Sequence, residues 1–142
     1  MNKTELNKKV VKILKKMGYT PKLDEDQDVG FYYQMKWVYV LLNADDEAEV
    51  SSVCVSLAKI YDLDDDAKGE KTGALIISND LSQEKKLIKV TVDLEHRCVN
   101  AHCQFFYTSE KALEQYFERL LSRDELGDVS STFSRRMKTL AD

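Results

Sequence analysis

The chain has 142 residues, of which 43% are hydrophobic and 32% charged, a composition that argues against disorder and fits one folded domain over 1–142. Its formal net charge of -4 repels polyanions, so nucleic acid is not an expected partner. No apolar run approaches the roughly 20 residues that span a bilayer, and no signal-peptide apolar stretch follows the charged start. The three cysteines, Cys54, Cys98 and Cys103, therefore read as reduced thiols, and the expected compartment is the cytoplasm.

Leu6, Val10, Ile13, Leu14 and Met17 recur at helical spacing and predict a first helix, with Thr4 as N-cap and Gly18 closing the end. Lys8, Lys9, Lys12, Lys15 and Lys16 fall on its solvated face, a simpler reading than a phosphate site. Tyr19 to Leu23 is a short extended stretch, and the acidic run Asp24 to Asp28 reads as a turn. Asp24, Asp26 and Asp28 resemble the start of a calcium loop. Val29 and Met35, however, stand where such a loop needs glycine and glutamate.

Val29 to Gln34 and Trp37 to Leu42 predict a hairpin bent near Met35-Lys36, with Tyr33 opposite Val38, Phe31 opposite Val40 and Val29 opposite Leu42. Its second face then carries Tyr32 opposite Tyr39, Gln34 opposite Trp37, and Leu41. A further strand is expected from about Glu49 to Leu57. A helix from about Asp65 to Ser78 would be capped by the acidic cluster Asp62 to Asp66 and weakened by Gly69 and Gly73.

Leu87 to Leu94 and Val99 to Tyr107 form a second predicted hairpin. A turn at Glu95-His96 sets Val92 opposite Val99, Val90 opposite Ala101 and Ile88 opposite Cys103, and makes two separate alternations agree. Lys89, Thr91, Asn100 and His102 occupy its other, polar face. Ser109 caps a helix carrying Leu113, Tyr116, Phe117, Leu120 and Leu121, which Gly127 interrupts. Val129, Phe133, Met137 and Leu140 predict a short helical tail from about 128. Adjacent hairpins with segregated helices define an α+β class, an antiparallel sheet with helices mainly on one face in the order α-β-β-β-α-β-β-α.

The segment Glu95 to Cys103 holds both histidines and two of the three cysteines. Strand alternation sends Cys98 and His102 to one face and Cys103 to the other, so at most His96, Cys98 and His102 converge, without the usual close ligand spacing of a zinc site. No phosphate loop, dinucleotide fingerprint or hydrolase motif is present. The remaining feature is a surface. If helices cover the Phe31/Val40 face, then Tyr32, Trp37, Tyr39 and Leu41 share an open one.

Met17-Gly18-Tyr19, then Pro21-Lys22-Leu23-Asp24-Glu25-Asp26, then Asp28-Val29-Gly30-Phe31 resembles the start of the bacterial YbjN-like family, which has the fold of type III secretion chaperones. The resemblance implies a helix, three strands, a helix, two strands and a helix in a domain that often dimerises. It also implies protein binding in a chaperone-like or regulatory role, with no catalytic residues to carry over. The expectation is a non-enzymatic, cofactor-free protein-binding domain and homodimer acting through Tyr32, Trp37, Tyr39 and Leu41. The alternative is a small-molecule or metal-binding sensor or enzyme built on His96, Cys98 and His102.

Overall fold

The structure, a computed structural model, describes residues 1–47, 50–64 and 69–141. The elements run α1 (Lys3–Lys16), β1 (Lys22–Leu23), β2 (Val29–Tyr33), β3 (Lys36–Asn43), β4 (Ser52–Asp62), α2 (Glu70–Glu84), β5 (Lys89–Asp93), β6 (Cys98–Phe106), α3 (Glu110–Leu120), a π-helical turn (Arg123–Gly127) and α4 (Asp128–Ala141). The strands form one six-stranded antiparallel sheet in the order β1-β2-β3-β4-β6-β5. The protein is thus α+β, with a fourth strand before α2 where three were expected. The chain divides into two compact units, Met1–Ser56 with Cys103–Arg119, and Leu57–His102 with Leu120–Asp142.

In the first unit, Leu6, Val10, Ile13 and Leu14 of α1 and Leu113 and Phe117 of α3 are buried. So are Val29, Phe31, Val38, Val40, Val53 and Val55, which alternate along their strands and turn to the same layer. Apolar residues thus go to one side of the sheet in each strand. Asn2, not Thr4, caps α1: its side chain accepts the Glu5 N–H at 2.9 Å. Thr4 Oγ1 instead donates to Gln27 Oε1 at 2.9 Å. Gly18 follows the helix with a φ of 95°, the left-handed residue the sequence pointed to. Lys9 pairs with Glu110 at 2.5 Å and Lys16 with Glu114 at 2.7 Å, so two of the six lysines on α1 serve the α1–α3 contact.

The β2–β3 register differs from the expected one by two residues: Val29 faces Val40, Phe31 faces Val38 and Tyr32 faces Trp37. Gln34 and Met35 both hold positive φ, 51° and 67°, which makes the bend a two-residue turn of the type that matches strand twist. The shift has a simple cause. A slip of two keeps every side chain on its own face, so hydrophobic alternation is blind to it, and Gln-Met lacks the Asn-Gly signal that marks such a turn.

In the second unit, Leu57, Ile60, Ile88, Val90, Val99 and Ala101 pack with Ala74, Ile77 and Leu81 of α2 and Val129, Phe133 and Met137 of α4 in the buried layer. The Tyr61 and Phe133 rings lie 5.2 Å apart. Strand β4 runs five residues past its expected end. Its alternation slips at Ala58-Lys59, where Lys59 takes a φ of 56° and its N–H bonds to the Asn100 side chain at 2.9 Å, as in a β-bulge. Helix α2 starts at Glu70 after a left-handed Gly69 and continues to Glu84, later at both ends than the sequence suggested. Asp65 and Asp66, expected to cap it, lie outside the described residues. Gly73 is inside the helix because α4 approaches it: a β-carbon there would stand 3.2 Å from Leu140 Cδ1. The second hairpin has the expected register, with Val90 opposite Ala101 and Val92 opposite Val99.

Candidate functional site

With Val29, Phe31, Val38 and Val40 turned inward, strand alternation sends Tyr32, Trp37, Tyr39 and Leu41 to the outer face of the first unit. Tyr32 remains 59% exposed, Tyr39 44% and Leu41 45%, and Trp37 is half-buried among its neighbours. The Tyr32 and Trp37 rings are 4.4 Å apart, and Trp37 and Tyr39 are 6.5 Å apart and nearly parallel, so the three form a continuous aromatic row. Trp37 rests on Gly30. A β-carbon at that position would sit 3.4 Å from the indole ring, and its absence leaves a shallow hollow of about 170 Å³ bordered by Lys22, Leu23, Asp24, Gly30, Trp37 and Tyr39. Phe106 (63% exposed), on the outward side of β6, adds to the open apolar surface of this unit, whereas Leu23 (54%) pairs with the inward Val29 and lies at the edge of the other face. Sequence reading missed Phe106. Phe106 lies on the even-numbered, outward side of β6, a position that alternation from Val99 to Phe105 would have revealed.

Each edge of the sheet is blocked at one position. At the β1 edge the antiparallel ladder turns Pro21 and Leu23 outward, and Pro21 has no N–H to offer an added strand. At the β5 edge the Ser82 hydroxyl accepts from Val90 N at 2.8 Å and donates to Val90 O at 3.2 Å, which occupies the groups an incoming strand would use.

The His/Cys segment is dispersed. His96 Nδ1 lies 2.8 Å from Asp93 Oδ2 at the exposed end of the β5–β6 hairpin. Cys98 is buried, with its thiol directed to Asn100 Oδ1 at 3.7 Å, and burial pushes its pKa up. His102 stands on β6 opposite Lys89. Cys54, on the outer side of β4, also has its thiol pKa raised by burial, so neither thiol is tuned toward the nucleophilic thiolate. Among the described residues, one group of three His, Cys, Asp or Glu side chains brings its ligand atoms within 4.8 Å, and it is Asp24, Asp26 and Asp28. Those oxygens already hold the turn: Asp24 accepts the Asp26 and Asp28 N–H groups at 2.8 and 3.0 Å, and Asp28 accepts Leu42 N at 2.8 Å and faces Lys3 Nζ at 3.0 Å.

A second polar knot was not legible in the sequence. Glu125, buried in the π-helical turn, accepts the Lys86 and Leu87 N–H groups, and Lys85 donates to Asp124 O at 2.5 Å and to the Asp128 carboxylate. These contacts tie the end of α2 to the start of α4.

The fold and this surface define an α+β sheet protein whose first unit carries an exposed aromatic row on the outer face of β2 and β3. Comparison with protein-family models, with curated proteins and with solved structures gave no match in any of the three.

Proposed function

We propose that this protein is a non-enzymatic protein-binding domain, chaperone-like or regulatory, that binds through the outer face formed by Tyr32, Trp37, Tyr39 and Leu41. The observation that supports it most is the open aromatic row beside the Gly30 hollow, since Trp and Tyr are favoured interface anchors. Large apolar side chains gathered on a face without helices lose surface to water only when another macromolecule covers them. The blocked positions at Pro21 and Val90 disfavour strand addition relative to recognition by this face. The resemblance to the YbjN-like family points the same way.

The test is a capture experiment from host extract with the wild-type chain and with Tyr32→Ser/Tyr39→Ser. The proposal expects a protein enriched by the wild type and lost with the variant, while circular dichroism of the two stays alike. Equal recovery by both would remove the face from the account.

A further inference from the structure

The Gly30 hollow has aromatic walls, a glycine floor and a charged rim. A β-carbon on Gly30 would lie 3.4 Å from the Trp37 ring and 3.8 Å from the Tyr39 ring, so the missing side chain opens the space between the two. Their centroids are 6.5 Å apart and their planes 25° from parallel. A cation seated between them falls within the roughly 6 Å over which a ring face attracts positive charge, and it does so for both rings. The hollow, about 170 Å³, has room for one inserted side chain rather than a chain segment.

Charge selects the sign of that side chain. Lys22 pairs with Gly30 across the ladder, and the bond from Asp24 N to Asp28 O at 2.9 Å continues the same pairing. Lys22 and Asp24 therefore turn to one side of β1, and both border the hollow. Glu25 and Asp26 follow Asp24 in the turn, while Asp28 has Lys3 against it at 3.0 Å. The carboxylates of Asp24, Glu25 and Asp26 thus outnumber the single ammonium of Lys22, and the balance favours a cation. Arginine suits such a place better than lysine. Its planar guanidinium lies flat on an aromatic ring while its edge donates to a carboxylate, whereas an ammonium is compact and strongly hydrated.

We infer that the hollow receives one arginine side chain of the partner protein, laid against Trp37 and Tyr39 with its edge toward Asp24. This rests on the reading of the face as protein-binding and names the group it recognises. Trp37 is the one tryptophan of the chain, so its indole N–H gives a single NMR resonance that reports on the hollow. The full chain is titrated with an acetylated, amidated Gly-Ser-Arg-Ser-Gly peptide, and with the same peptide carrying lysine or citrulline at its centre.

The arginine peptide is expected to shift the indole resonance and to saturate in the millimolar range that one anchored side chain supports. The lysine peptide should bind several-fold more weakly, and the neutral citrulline peptide should leave the resonance in place. Asp24→Asn keeps the Oδ1 that accepts the Asp26 and Asp28 amides, so the turn survives. It should weaken the arginine peptide about threefold or more. Gly30→Ala, whose new methyl meets both rings at ordinary contact distance, should abolish the response in a folded protein. Lys22→Gln should tighten binding. No indole shift, equal responses to arginine and citrulline, an affinity unmoved by Asp24→Asn and Gly30→Ala, or one loosened by Lys22→Gln would each overturn the inference. A foreign protein lost with Tyr32→Ser/Tyr39→Ser but held by Gly30→Ala as tightly as by the wild type would overturn this inference alone. Equal capture by wild type and Tyr32→Ser/Tyr39→Ser, beside an arginine-selective indole response, would remove the proposed function and leave the preference of the hollow standing.

Discussion

In the β2–β3 hairpin Val29, Phe31, Val38 and Val40 are buried, and in the β5–β6 hairpin Val90, Val99 and Ala101 are. Their other faces differ in chemistry. The first presents Tyr32, Trp37, Tyr39 and Leu41; the second presents Lys89, Thr91, Asn100 and His102. The polar face is what a strand pair open to water ordinarily shows, and it needs no partner. The aromatic face carries more apolar surface than folding of this hairpin requires, because the inward residues already supply the buried layer. The two hairpins also end differently. The first closes on two left-handed residues, and the second on a four-residue loop fastened by Asp93 to His96. The contrast separates what a strand needs to fold from what it offers to another molecule.

The largest expected effect comes from crossing the first hairpin from one face to the other. Phe31→Ala should cost about 3–5 kcal/mol in denaturant unfolding, as for other fully buried aromatics. Tyr32→Ala, next to it in sequence, should cost about 1 kcal/mol or less. Equal losses would mean that the outer ring is part of the core and that the contrast between faces is unfounded.

Ser82→Ala should cost about 1–3 kcal/mol, because it leaves the Val90 N–H and C=O without their partner at the β5 edge. Faster amide exchange at Val90 in the variant would confirm the route. A smaller effect of opposite sign is expected at the first bend. Replacing Gln34-Met35 by Asn-Gly should stabilise the protein by about 1 kcal/mol, since both positions hold positive φ. Destabilisation would speak against the two-residue turn and its register.

The smallest effect concerns the loop of the second hairpin. The Asp93 carboxyl lies below its usual range because it accepts the His96 N–H and also meets the His96 ring. A depressed folded value contributes stability that is present above the unfolded carboxyl pKa and lost as pH falls through the folded one. The stability gap between wild type and Asp93→Asn should therefore narrow as pH falls below about 4. A gap that widens below pH about 4 would contradict this.

Much of this contrast was already legible in the residues, because period-two alternation separates the faces of both hairpins without knowledge of register. Tyr32, Trp37, Tyr39 and Leu41 therefore share a face even though their expected cross-strand partners differ by two positions. What alternation cannot carry was missed. The start of α2 follows a left-handed glycine, and the length of β4 depends on a bulge at Lys59. The rim of the Gly30 hollow depends on a ladder only two residues long, too short to leave a pattern. The Lys85, Glu125 and Asp128 knot joins charges about forty positions apart, beyond the reach of local spacing. His96, Cys98 and His102 are close in sequence, yet a hairpin end and a strand direct them to separate neighbours.

The most direct test of the central claim is site-specific photocrosslinking in the host, with a benzophenone side chain in place of Tyr39 in one variant and Thr91 in another. The account predicts covalent protein adducts from position 39 and only background from position 91, with an adduct of twice the chain mass identifying a second copy. Adducts from position 91 and none from position 39 would contradict it.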